Sequence, residues 1–248
     1  MISAMEKQTL SLVLPCFNEE ANIERTIRDT NAWFDRTGTT GEIIVVNDGS
    51  SDDSQKILEN LRPEVPRLKL VRHEKNRGYG LALRSGLDVA TMDIVGFMDS
   101  DGQFRPEDLK LLLPHLEAYA FVTGRRRRRA DSPVRNAFGK VLGLMNWVAL
   151  GLWVRDVNCG MKLFRREIWQ RVRPTHGVEK LFNTELFLRL KEEGVVWKTI
   201  DVPHYPRTAG SPTGAKPSVI IRMFSELGDL RKSRRQRRRA RRAAKGGA

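Results

Sequence analysis

Short apolar runs alternate with amphipathic segments through the first hundred residues. Leu10–Leu14, Glu42–Val46, Leu68–Val71 and Asp93–Met98 have strand length, and Glu19–Phe34, Ser54–Leu61 and Tyr79–Val89 carry helical spacing between them. This alternation predicts an α/β fold: a mostly parallel sheet flanked by helices on both faces. Further on, the pattern predicts a helix over Leu109–Leu116, a short strand at Phe121–Thr123 and a long helix over Arg135–Val154. A helix over Leu181–Lys191 and a strand over Val195–Val202 follow. Pro206, Gly210, Pro212 and Gly214 then mark an irregular loop, and Ser218–Leu230 reads as a last helix with an apolar stripe. The expected organisation is an N-terminal extension (1–8), one domain (9–216), an amphipathic helix (217–230) and a disordered polybasic tail (231–248).

Ligands of such sheets bind beyond the carboxyl ends of the strands, so the residues after each strand matter most. The first strand is followed by Pro15-Cys16-Phe17-Asn18-Glu19-Glu20 and the second by Asn47-Asp48-Gly49-Ser50. The third leads to Asn76-Arg77-Gly78-Tyr79-Gly80 and the fourth to Asp99-Ser100-Asp101-Gly102-Gln103. Each turn alone is also good capping chemistry. Together they bring polar and acidic groups from four strands to one edge. No histidine falls within these four motifs.

Composition narrows the classes. The chain has 248 residues and a net charge of +14. Ten of its Lys/Arg fall in residues 231–248 beside no acid, which leaves the preceding body at only +4. No segment at the start reads as a signal peptide, and the apolar run Val141–Val154 is shorter than the roughly 20 residues a spanning helix needs. Two cysteines, Cys16 and Cys159, are too few for a disulfide framework and suit a reducing, cytoplasmic setting. The basic tail and the Arg125–Arg129 run raise a nucleic-acid reading, but neither aromatic interleaving nor a recognition-helix motif supports it.

Side chains alternate along a strand, so Asp99 and Asp101 project to the same side. Two carboxylates placed this way suit a hard divalent cation, Mg²⁺ or Mn²⁺, and a reason to hold one is the developing charge of a leaving diphosphate. Asp48 can accept from a base N–H or a ribose hydroxyl. The stretch Asn76–Gly86 lets backbone approach a ligand, or serves tight helix packing.

The segments PCFNEE, VNDGSSD, NRGYGLALRSG, FMDSDGQ and DVNCGMKLF resemble, in order and spacing, the successive motifs of family 2 glycosyltransferases of GT-A fold. The likeness is greatest to dolichyl- and polyprenyl-phosphate sugar synthases and covers roughly Leu10 to Gly214. It implies that Pro15, Phe17 and Glu19 form the first donor loop and that Asp48 contacts the nucleoside of a GDP- or UDP-linked sugar. Asp99, Ser100 and Asp101 match the metal and diphosphate motif, with Gln103 as a further metal ligand. Arg126 or its neighbour Arg125 falls near the reacting phosphates, and Arg207 closes over the donor. The Asp156–Lys162 loop corresponds to the acceptor floor, where Gly160 permits close approach and Asp156 can reach the donor sugar. Two departures stand out: Phe17 replaces a frequent tyrosine, and Thr213 a lysine whose role Lys216 could take.

The resemblance also implies attack by a polyprenyl phosphate oxygen with inversion. Such a nucleophile is already anionic near neutral pH, so no strong base is needed. Arg126, Arg135 and Arg207 are then contributors to offsetting the repulsion of two anions. Glu185 would become the base candidate if the acceptor were a hydroxyl, which is the competing reading. The tail predicts reversible binding to an anionic membrane surface and hence a peripheral location at the cytoplasmic face. A separate membrane-anchoring partner and a homo-oligomer both stay open.

Overall fold

The computed structural model describes residues 9–127, 143, 147–178, 181–207 and 226–237. Its centre is a seven-stranded sheet of order β3-β2-β1-β4-β6-β5-β7. The strands are β1 (Leu10–Cys16), β2 (Gly41–Asp48), β3 (Leu68–His73), β4 (Ile94–Met98), β5 (Phe121–Arg126), β6 (Met161–Arg165) and β7 (Trp197–Val202). Neighbours pair in parallel except at β6, which runs antiparallel to both β4 and β5. The strand order reverses between β1 and β4, which opens a crevice at their carboxyl ends.

Period-two alternation explains the layers. Leu10, Leu12, Leu14, Ile43 and Val45 pack on one face with α1 (Ile23–Thr37) and α2 (Ser54–Leu61). Val13, Ile44, Val46, Val95 and Phe97 pack on the other with α3 (Tyr79–Asp88), α4 (Trp169–Val172) and α5 (Leu181–Glu192). Both faces of β1 and β2 are dry, as the near-continuous apolar runs require. Each fully buried Leu, Ile or Val contributes roughly 1.5–3 kcal/mol by leaving water.

Several elements differ from expectation for local reasons. Leu109–Leu116 is not one α-helix but two 3₁₀ turns, Pro106–Leu111 and Leu113–Glu117, divided where Pro114 lacks an N–H. Of the expected Arg135–Val154 helix only residue 143 and residues 147–154 are described. Residues 147–150 are helical, and Gly151, at φ +59° with its N–H on the Trp147 carbonyl, ends the helix there. β7 starts two residues late because Gly194 and Val195 close the end of α5. Of the expected Ser218–Leu230 helix, 218–225 lie outside the described residues. Residues 226–237 are helical, so the first seven residues of the tail expected to be disordered are helix instead. Leu230 is buried, and Arg234 and Arg237 reach Glu192 at the end of α5. No helix among the described residues is long and apolar enough to cross a membrane.

Candidate active site

The crevice between β1 and β4 gathers the acidic groups. Ser100 donates its hydroxyl to the Pro15 carbonyl (2.6 Å), and Thr26 of α1 donates to the Ser100 carbonyl (3.2 Å), so the two strand ends are tied together. The Ser100 hydroxyl is thereby spent on the scaffold. Phe17 and Glu19 lie half-buried on the loop that follows. Burial, and then the charges of Asp101 and Asp99, push Glu19 above its usual pKa despite the Asn22 amide and Arg207.

Asp99 is held on every side. Its N–H donates to the Gly160 carbonyl (3.1 Å) and its Oδ1 accepts from the Tyr79 hydroxyl (2.8 Å). A Cβ on Gly160 would stand 1.9 Å from Asp99 Oδ2. The close approach expected at Gly160 is therefore made by the Asp99 carboxylate. Burial and the neighbouring Asp101 raise Asp99 to about 6. Three crowded carboxylates, two of them pushed toward protonation, mark a deficit of positive charge.

Arg207 partly answers that deficit. It donates to Asp101 Oδ2 (2.5 Å), and its other terminal nitrogen lies 3.6 Å from Glu19. It is carried there by a pairing of turns: Tyr205 N–H donates to the Gln103 carbonyl (3.1 Å) and the Gln103 amide to the Tyr205 carbonyl (3.3 Å). Arg105 covers the Tyr205 ring at 3.9 Å. Gln103, expected as a metal ligand, has its side-chain amide engaged with the segment that delivers Arg207.

Strand alternation separates the two arginine candidates. Arg126 grips Asp156 through two nitrogens (2.8 and 2.7 Å), and both side chains are under 10% exposed. Arg125 points the opposite way and pairs with exposed Asp201 on β7 (2.5 and 2.8 Å). Arg126 is the one that acts on Asp99. Lys162, expected at the acceptor, is fully buried instead: it donates to the Cys159 carbonyl between the rings of Phe97 and Phe187. Burial lowers it to about 8, and it supports the 156–160 loop from beneath. Cys16 and Cys159 are buried, and desolvation pushes both thiols up to about 12, so they are chemically quiet.

Glu185 is not poised as a base. It is fully buried and accepts from the N–H groups of Thr175 (3.0 Å), His176 (2.8 Å) and Gly177 (2.8 Å). Burial disfavours its charge, yet these donors and Arg189 hold its pKa below the usual range. The loop it organises accepts from Gly80 through the Val178 carbonyl (2.8 Å), at the start of α3.

Asp48 is 2% exposed and holds the same region from the other side, through Arg77 N–H (2.9 Å) and Gly78 N–H (2.8 Å). Gly78, at φ +100°, lets the chain turn so that Tyr79 reaches Asp99. Tyr79 was hidden inside a motif read only for backbone approach. His73 also escaped the sequence reading, because β3 runs two residues past Val71 and ends on it. Arg135 and Lys216 lie outside the described residues.

Residues 11–173 match the family model described as Glycosyl transferase family 2. An undecaprenyl-phosphate 4-deoxy-4-formamido-L-arabinose transferase of Shewanella sediminis is 29% identical over 223 residues, 88% of this chain and 65% of that protein. A dolichyl-phosphate beta-glucosyltransferase of Trichomonas vaginalis is 28% identical, covering 72% of this chain and 58% of that one. The chain thus spans under two thirds of the length of these relatives. Among solved structures, glucosyl-3-phosphoglycerate synthase from Mycobacterium tuberculosis in complex with Mn²⁺, uridine diphosphate and glucosyl-3-phosphoglycerate superposes with a TM-score of 0.64. It is 26% identical, over 92% of this chain and 84% of that one.

Proposed function

The chain belongs to glycosyl transferase family 2, and from that premise we propose that it transfers a sugar from a nucleoside-diphosphate sugar to a polyprenyl phosphate, with inversion. The observation that carries this reading is the crowding of Glu19, Asp99 and Asp101 at the switch point, answered by Arg207 and Arg126. Asp101 and Asp99 would hold Mg²⁺ or Mn²⁺. Such a cation is commonly held by one or two carboxylates together with substrate phosphates. The cation, when bound, neutralises charge on the departing diphosphate. The solved relative's complex with Mn²⁺ and a nucleoside diphosphate supports this donor and cation.

The chain's own residues bind and orient. Arg207 supplies a guanidinium beside Asp101, while Asp156 fixes Arg126 next to Asp99. A phosphate nucleophile arrives anionic and asks for no base, which agrees with the full engagement of Glu185. The names of the two relatives support a lipid phosphate as acceptor. A small-molecule acceptor is the competing reading, prompted by the solved relative's name.

We further propose that the protein works at an anionic membrane surface. Four of the five exposed large apolar side chains among the described residues are Trp147, Val148, Trp153 and Val196. They flank the junction where residues 147–155, the end of α5 and residues 226–237 meet, beside exposed Arg231, Lys232 and Arg235.

Purified protein incubated with nucleotide sugars, Mn²⁺ or Mg²⁺ and a short polyprenyl phosphate should yield an organic-extractable sugar lipid. Asp101→Ala should cut that yield at least ~100-fold. Transfer to a small water-soluble acceptor with no sugar lipid would overturn the lipid reading, and wild-type activity in the variant would overturn the cation assignment.

A further inference from the structure

Asp48 ends β2 and stands in parallel register beside His73, the last residue of β3. His73 Nδ1 lies 2.6 Å from Asp48 Oδ1, and its Nε2 lies 2.9 Å from Ser85 Oγ on α3. A nitrogen this close to a carboxylate oxygen carries the proton, in neutral and charged imidazole alike. In the neutral ring Nε2 then accepts from the Ser85 hydroxyl.

The same order of groups occurs in nucleophilic triads. Ser85 lies inside α3, however, where backbone N–H groups are committed to the helix's own carbonyls and none is free to stabilise an oxyanion. The chain of groups is built for orientation.

What it orients follows from counting. A carboxylate offers about four lone-pair directions, two on each oxygen. On Asp48, Oδ1 accepts from His73 and from Arg77 N–H, and Oδ2 from Gly78 N–H. One direction is left, on Oδ2. Guanine presents two adjacent in-plane N–H donors, which grip a carboxylate through both oxygens at once. Uracil presents a single N–H between two carbonyls and needs only one acceptor.

We propose that the Ser85–His73–Asp48 relay sets nucleobase choice: by filling Oδ1 it leaves Asp48 a single acceptor direction, which fits uracil and rejects guanine. His73 and Ser85 are positioning residues, acting through Asp48. The inference rests on the reading that Asp48 faces the base of a nucleoside-diphosphate donor, and it adds which base that is.

Calorimetric titration of the full chain with UDP and with GDP, each with Mn²⁺, tests it. The wild type should bind UDP at least ~10-fold more tightly than GDP, the discrimination of one well-placed hydrogen bond. His73→Ala opens Oδ1, and the ratio should fall toward unity. His73→Asn, whose amide nitrogen takes the place of Nδ1, should restore it. In turnover, the loss in His73→Ala should fall on KM for the nucleotide sugar far more than on kcat. An equal or tighter GDP complex in the wild type, or an unchanged ratio in folded His73→Ala, overturns the proposal. Should His73→Ala fail to fold, Ser85→Ala leaves the imidazole in place without its anchor. It should narrow the ratio at least ~3-fold, and no change there also overturns the proposal. If the wild type prefers GDP, this proposal falls and the nucleotide-sugar reading stands. If it binds neither nucleotide, the nucleotide-sugar reading falls with it.

Discussion

Single side chains in this site are mostly occupied in holding one another. Glu185 is the clearest case, a buried carboxylate fixing three consecutive backbone N–H groups. A carboxylate whose folded pKa is depressed adds stability that is present above its unfolded value near 4.5 and lost as pH falls through the lower folded value. Glu185→Gln should therefore cost about 3 kcal/mol at pH 7 by leaving buried donors short of an acceptor. Denaturant melts at pH 7 and below pH 4 should show the gap between wild type and variant shrinking in acid; a constant gap would mean that the charge is not what holds the loop. Asp99 and Asp101 were legible in the sequence because an Asp-x-Asp at a strand end has fixed sidedness. Glu185 was legible only as a helical acid, since no spacing rule says which backbone groups a buried carboxylate will meet. His73 was missed because the apolar run stops at Val71 while the hydrogen-bonded ladder continues to His73.

At the scale of elements, strand and helix order through β4 followed directly from apolar periodicity. β6 did not, because Met161–Arg165 is short and its apolar residues are interrupted by Lys162 and closed by Arg165, so it reads as loop. Nor could sequence choose between Arg125 and Arg126 until β5, expected to stop at Thr123, was seen to run on to Arg126, which sends them to opposite faces. Residues 231–237, the last seven of the helical segment 226–237, were taken for tail because their composition is basic; tertiary ion pairs override that. Glu192 receives Arg237 Nε at 3.0 Å and lies 3.6 Å from Arg234 Nε, with all three side chains under 20% exposed. Glu192→Gln should weaken this docking by about 1–3 kcal/mol. Hydrogen exchange should then quicken across residues 226–237 and stay unchanged in β1 and β2. Equal protection in the variant would show that Leu230 and its apolar neighbours suffice.

For the whole molecule, docking of residues 226–237 holds part of the tail's charge in place, and the sequence beyond it carries five more cations, Arg238, Arg239, Arg241, Arg242 and Lys245. Each cation near an anionic leaflet is worth about 1 kcal/mol, and that contribution is screened by salt, whereas exposed tryptophans insert without such screening. Removing residues 238–248 should lower affinity for phosphatidylglycerol vesicles at least ~10-fold at low salt. The double variant Trp147→Ala, Trp153→Ala should abolish the binding that survives at high salt. Cosedimentation unaffected by both changes would rule out this face as the contact.

The reversed strand β6 also bears on how the chain finds its fold. One side of the crevice is made by pairings such as Leu10 with Gly41 and Ile43 with Leu68, which close modest loops. The other side waits for Ile94 to meet Leu10 and then Arg165, both across much longer stretches, and β5 and the 156–160 loop must be laid down before β6 can insert beside β4. Longer loops cost more chain entropy to close, and non-local pairing is slow. Where that entropy sets the order of events, the β1–β2–β3 half assembles first, and the half that holds β6 is added last.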